Sequence, residues 1–275
     1  MAAKDLSDRG MSLGDHLEEL RWRLLRIVLA MLAFTIVAFI FNIELKMIAL
    51  APLQKAIAIV GPEMATELGF DPDPAATRQL RGGTLTEPTI TAFTISMLAA
   101  VFAIVPYIVW QIWGFVRPAL HRHELGLAFL FIPSAIAFFY LGVVLGYFFA
   151  LPWFYAWLIQ WAALDPTVSM ILDQRSYFRL LVLMTACFGF ILDIPWFIIL
   201  LVRLRVVSPQ QIAKKRRYII LAAVVAAALL SPPDPFSQLA LFIPIIVLFE
   251  LGLLLSRLVY QRALAADTPD KDTHA

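Results

Sequence analysis

The chain alternates between long apolar runs and short polar links, and the lengths of the runs predict the architecture. Residues 180–202 form a run of 23, bounded by Arg179 and Arg203, with one formal charge, Asp193. At ~1.5 Å per residue a helix of this length just crosses a ~30 Å hydrocarbon core. Further spans are predicted at 27–43, within 89–116, within 125–151 and from 236 to about 256. Residues 218–230 are anomalous: 13 residues, about 20 Å of helix, before a Ser-Pro-Pro-Asp-Pro stretch stops them. A span this short beside full-length ones is predicted to thin the bilayer locally. Unbroken apolar runs make helices, not a barrel, the expected form of these six spans.

The polar links have their own patterns. Residues 1–11 read as a flexible N-terminus, and Ser12-Leu-Gly-Asp15 has the form of a capping box. Leu17, Leu20 and Leu24 then share one face, with Glu18, Glu19, Arg21 and Arg23 polar, so an amphipathic helix is expected at the membrane surface before the chain turns into its first span. Residues 44–59 predict a short helix at the opposite interface, broken at Pro52, and 71–83 a loop. Tyr107, Trp110 and Trp113 mark an interface at the end of the second span. Residues 153–177 read as a second loop on the far side with a helical piece, and Pro133 and Pro195 predict kinks in the third and fourth spans. From Arg257 the tail is polar and is expected to fray, which leaves one membrane domain with a six-helix core over 12–256.

Composition agrees. The chain is 61% hydrophobic with a mean hydropathy of +0.81, and its 15% of charged residues is well below the soluble average of ~25%. A net charge of +2 gives no reason to expect a nucleic-acid partner. Cys187 is the single cysteine, so neither an intrachain disulfide nor a cysteine-based metal site is available. No removable signal peptide is evident. Sixteen of the 22 Lys and Arg residues fall in the N-terminus, the 117–124 link, the 203–217 link and the tail, which by the positive-inside rule places both termini in the cytoplasm.

Candidate chemistry is acidic. No nucleotide fingerprint, nucleophile elbow or zinc motif is present, so catalysis and cofactors are not expected. Glu18, Glu19 and Glu124 lie at the cytoplasmic surface; Asp193 and Glu250 lie within spans. Each also has a structural reading. Glu19 with Arg23 and Glu18 with Arg21 are helical ion pairs by spacing, Glu124 can offset its basic neighbours, and the intramembrane acids can bond neighbouring helices. Lys214, Lys215, Arg216 and Arg217 read most simply as a topology anchor on anionic lipid. On residues alone, a proton-coupled small-molecule transporter is the competing class, though no internal symmetry supports it.

His16-Leu-Glu-Glu-Leu-Arg-Trp-Arg-Leu24 resembles the N-terminal motif of the TatC family, receptor subunits of the twin-arginine protein translocase. The resemblance continues through Ala51-Pro-Leu53, the Pro106 to Glu124 stretch with its Trp-Gln-x-Trp, Tyr147 to Pro152, Phe188-Gly-Phe-x-x-Asp193-x-Pro195, Lys214-Lys-Arg216, Ser231 to Gln238 and Phe249-Glu-x-Gly252. It implies a cupped six-helix protein of the bacterial cytoplasmic membrane, with short fifth and sixth helices, that binds the signal peptides of folded precursors and self-associates in a larger complex. Glu19 and Glu124 match the family's motif-binding acids, with Glu18 and Arg21 beside them. Asp193 matches an intramembrane position where the family usually has Glu, and Leu125 and Gly126 stand where it often has basic residues. Ser231, Asp234 and Gln238 match the polar positions where single-helix partners of TatB or TatA type dock, and the proton-motive force is the implied energy source.

Overall fold

The structure, a computed structural model, describes residues 13–67, 84–117, 122–164, 173–230 and 235–267. Its long helices are α1 (Leu13–Ile40), α2 (Asn42–Val60), α4 (Glu87–Val116), α5 (Arg122–Leu145), α6 (Leu151–Ala163), α7 (Gln174–Arg203), α9 (Arg216–Leu230) and α10 (Pro235–Asp267). Two short helices, α3 (Pro62–Glu67) and α8 (Pro209–Lys214), lie between them. Among the described residues, five helical stretches are long and apolar enough to cross a membrane: His16–Ile40, Glu87–Phe115, Phe131–Ala163, Gln174–Arg203 and Pro235–Gln261. The run at 180–202 lies inside α7 as expected. Helix α9 has 15 residues, about 22 Å, and is shorter than a full crossing.

Several expectations are corrected. α1 is one uninterrupted 28-residue helix, so no turn separates a surface segment from the first span; the Ser12 cap lies outside the described residues. The third span does not end near Leu151. A π-helical turn, Gly146–Ala150, carries α5 directly into α6. The chain stays helical through Pro152, the second residue of α6. The last helix is not short: α10 has 33 residues and remains helical past Arg257 to Asp267.

α2 is not broken at Pro52. Proline removes the donor for the carbonyl four residues earlier, and in an apolar setting that carbonyl needs another partner. Tyr147 of the π-helical turn supplies it by donating its hydroxyl to the Ile48 carbonyl. The same solution recurs at Pro106 in α4, where the Tyr140 hydroxyl donates to the Phe102 carbonyl at 2.7 Å. Two tyrosines thus pin proline-containing helices to their neighbours.

α7 is the hub, packed against α10, α5 and α4, while α1 lies along α4 and α2 along α6. Lipid is as apolar as leucine, so close packing and not the hydrophobic effect must hold such helices together. The α5–α7 seam shows how. A Cβ at Gly142 would lie 2.4 Å from the Phe188 carbonyl oxygen, and one at Gly189 would lie 2.7 Å from the Phe139 ring. The core concentrates where α2, α6, α7 and α10 meet, around Leu53, Leu151, Met184 and Leu241, all essentially buried. The Tyr155 and Tyr177 rings stack there at 5.0 Å, and the Tyr177 hydroxyl donates to the Ala49 carbonyl at 2.6 Å.

At the same end, Glu87 joins two elements. Its carboxylate accepts from the Arg175 amide at 2.9 Å and the Thr84 amide at 3.2 Å, satisfying an otherwise unpartnered N–H in the first turn of α7. Asp173 caps that helix from below, accepting from the Ser176 amide and hydroxyl at 2.9 and 2.8 Å.

Candidate functional site

The α1–α4 seam ends in a polar cluster. His16 stacks on Phe115 with ring centroids 4.2 Å apart, which fixes the start of α1 against the end of α4. One turn on, Glu19 pairs with Arg23: Nε and Nη2 approach the same carboxylate oxygen, Oε1, at 2.9 and 2.5 Å. This is the ion pair the spacing predicts. Both side chains are only about a fifth exposed, at 23% and 21%, so it is no freely solvated surface pair. The Arg23 Nη1 donates onward to the main-chain and side-chain oxygens of Gln111 on α4, at 3.3 and 3.4 Å. Gly114 makes room for the guanidinium, since a Cβ there would lie 2.1 Å from Nη1. The second Glu19 oxygen, Oε2, is covered and has no hydrogen-bond partner among the described residues.

The other candidates are distributed as follows. Glu18 and Arg21 are exposed on α1 beside Glu19. Glu124 is the third residue of α5, after the short link that follows α4, so it lies at the same end of the molecule as Glu19. Asp193 is half-buried on α7, and its Oδ1 has no hydrogen-bond partner among the described residues. Two residues on, Pro195 closes onto α10, where a Cβ at Gly252 would lie 2.6 Å from its Cα. Glu250 meets the Arg216 Nε at 2.6 Å, so this acid joins α10 to α9. Arg216 opens the 15-residue α9, and Glu250 lies 15 residues beyond Pro235, so the pair marks where the short helix ends along the long one. Gln238 donates to the Val224 carbonyl at 3.5 Å, also between α10 and α9. Ser231 and Asp234 lie outside the described residues.

A family model described as Sec-independent protein translocase protein (TatC) matches residues 15–244. The chain belongs to the TatC family. It is 34% identical over 250 residues to the TatC protein of Halothiobacillus neapolitanus, covering 91% of this chain and 63% of that relative. It is 33% identical over 250 residues to the TatC protein of Haemophilus influenzae, covering 91% of this chain and 90% of that one. A crystal structure of the twin-arginine translocase receptor TatC superposes with a TM-score of 0.74 at 27% identity, covering 88% of this chain and 98% of the other. These relatives are named as protein translocase proteins, and the solute-transporter alternative has no support among them. This TatC-family chain is accordingly a subunit of the twin-arginine translocase and a membrane protein with several spanning helices.

Sequence reasoning singled out Glu19 but treated Arg23 only as its ion-pair partner, and it gave Gln111 and Gly114 no role. A signal was present. Gln111 is a lone amide in an otherwise apolar stretch between Trp110 and Trp113, and an isolated polar group in such a helix needs a partner.

Proposed function

We propose that this chain is the receptor subunit that binds the twin-arginine signal peptide of folded precursors at the cytoplasmic face of the bacterial inner membrane. Glu19 and Glu124 hold the paired arginines, with Glu18 and Arg21 at the rim. The observation that carries this reading is the covered Glu19 carboxylate at the α1–α4 seam, with one oxygen lacking a donor among the described residues. A carboxylate of this kind suits guanidinium, which is always charged and offers several N–H donors in one plane.

The basic distribution supports cytoplasmic termini and the placement of this seam on the cytoplasmic side. With α9 as the sixth crossing, both ends of the chain lie on one side of the membrane. The apolar part of the signal peptide inserts past Asp193, TatB- or TatA-type helices dock near Ser231, Asp234 and Gln238, copies of the chain associate in a larger complex, and the proton-motive force drives export.

The test is binding of a twin-arginine signal peptide to the purified chain, against the same peptide with both arginines changed to lysine. Arginine-dependent binding that Glu19→Gln and Glu124→Gln each weaken is the expected result. Equal binding of both peptides, or indifference to both substitutions, would overturn the reading.

A further inference from the structure

The cluster around Glu19 is more elaborate than a single acceptor requires. An i,i+4 pair on a solvated helix face swings freely and is worth only a few tenths of a kcal/mol. Here the Arg23 guanidinium is tied to three oxygens on two helices: Glu19 Oε1, the Gln111 carbonyl and Gln111 Oε1. Gln111 is itself buried, and Gly114 leaves the space in which the guanidinium lies. Both donors that reach Glu19 converge on Oε1, so the carboxylate is held by one oxygen while Oε2 carries none of the load.

Building on the reading of Glu19 as an arginine acceptor, we propose that Arg23, anchored by Gln111, is a positioning residue that gives the site its preference for arginine over lysine. The reason is electrostatic. Glu19 and Arg23 together are neutral, so most of the point-charge attraction for an incoming cation is cancelled. What is left is the pair of lone-pair directions on Oε2, which is covered in this structure and held because Oε1 is fixed; once the signal peptide opens that cover, these directions reward directional donors. A guanidinium supplies a rigid planar fork and is weakly hydrated; an ammonium is a compact, strongly hydrated charge that gains mainly from net negative charge. Without Arg23 the carboxylate carries a full charge and turns freely, and it accepts either cation.

The experiment measures the dissociation constants of the twin-arginine and twin-lysine peptides on the full-length purified chain, for wild type, Arg23→Gln, Arg23→Lys and Gln111→Leu. In Arg23→Gln the ratio of the two constants is expected to fall about tenfold, the scale of one charge-assisted hydrogen bond. Gln111→Leu lowers the ratio less, and Arg23→Lys, which keeps the charge, restores part of it. If both peptides weaken equally and the ratio holds, Arg23 is merely structural and the proposal fails. Tighter arginine binding at an unchanged ratio would make Arg23 a competitor for the site and also overturn it. Should Arg23→Gln fail to fold, Gln111→Leu decides, because it leaves the ion pair in place; an unchanged ratio there is fatal. A wild-type ratio near one would instead overturn the assignment of Glu19 itself.

Discussion

Helices α1 and α7 have nearly the same length, 28 and 30 residues, and opposite surroundings. Only 6% of the apolar window of α1 is buried inside the protein, against 44% for α7. α7 packs chiefly against α10, α5 and α4, whereas α1 is a strap whose main seam is with α4. On the reading proposed above, the difference separates framework from receptor. Much of α7 is committed to packing, although Phe190 and Phe197 stay exposed and Asp193 keeps an unpartnered oxygen among the described residues. The end of α1 instead ties Glu19 and Arg23 into one polar cluster away from the core.

The largest expected effect tests that separation directly. Leu241→Ala, in the fully buried contact of α10 with the core, is expected to cost about 3 kcal/mol. Leu29→Ala, on the exposed face of α1, should stay within about 0.5 kcal/mol; thermal unfolding of both variants in one detergent gives the comparison. Gly142→Val is expected to cost about 2 kcal/mol, because the obstruction is the Phe188 backbone, which has no rotamer to move to. Its readout is the same melt, with cross-linking of cysteines placed on α5 and α7 reporting whether the seam opens.

A smaller effect sharpens the account of α4, the helix both regions share. Tyr140→Phe strips the Phe102 carbonyl of its donor and is expected to cost about 0.6 kcal/mol, with the peptide-binding ratio unchanged. The smallest effect lies at the far end of α7. The Asp173 carboxyl is held below its ordinary value first by the Ser176 amide and then by its hydroxyl. A carboxyl lowered in this way stabilises the fold above its unfolded value of about 4, and the contribution is lost as pH falls below that. Asp173→Asn should therefore flatten the decline in melting temperature between about pH 5 and pH 3, slightly, since the group is exposed.

The apolar runs made α7 and the shortness of α9 legible, because run length sets how much of a bilayer a helix can cross. Continuity through Pro52 was not legible, whereas the second span was expected to run through Pro106 and does. Pro52 and Pro106 break a helix unless a distant hydroxyl replaces the lost donor, and Tyr147 and Tyr140 are distant in sequence. The passage from α5 into α6 was missed for a related reason: a π-helical turn has no apolar period that separates it from a helix end. At the site, Glu19 and its pairing with Arg23 followed from local spacing. The tie to Gln111 did not, since it spans 88 positions and depends on how α1 and α4 are set against each other.

The central claim is that the end of the α1–α4 seam receives the arginine pair of a signal peptide. The most direct measurement places a photo-activated cross-linker beside that pair in a bound twin-arginine peptide and maps the adducts on the full-length chain by mass spectrometry. Adducts within residues 16–23 and 111–124, lost when the arginines become lysines, are the expected result. Adducts confined to the opposite end, around residues 153–177, or a pattern indifferent to the arginines, would contradict it.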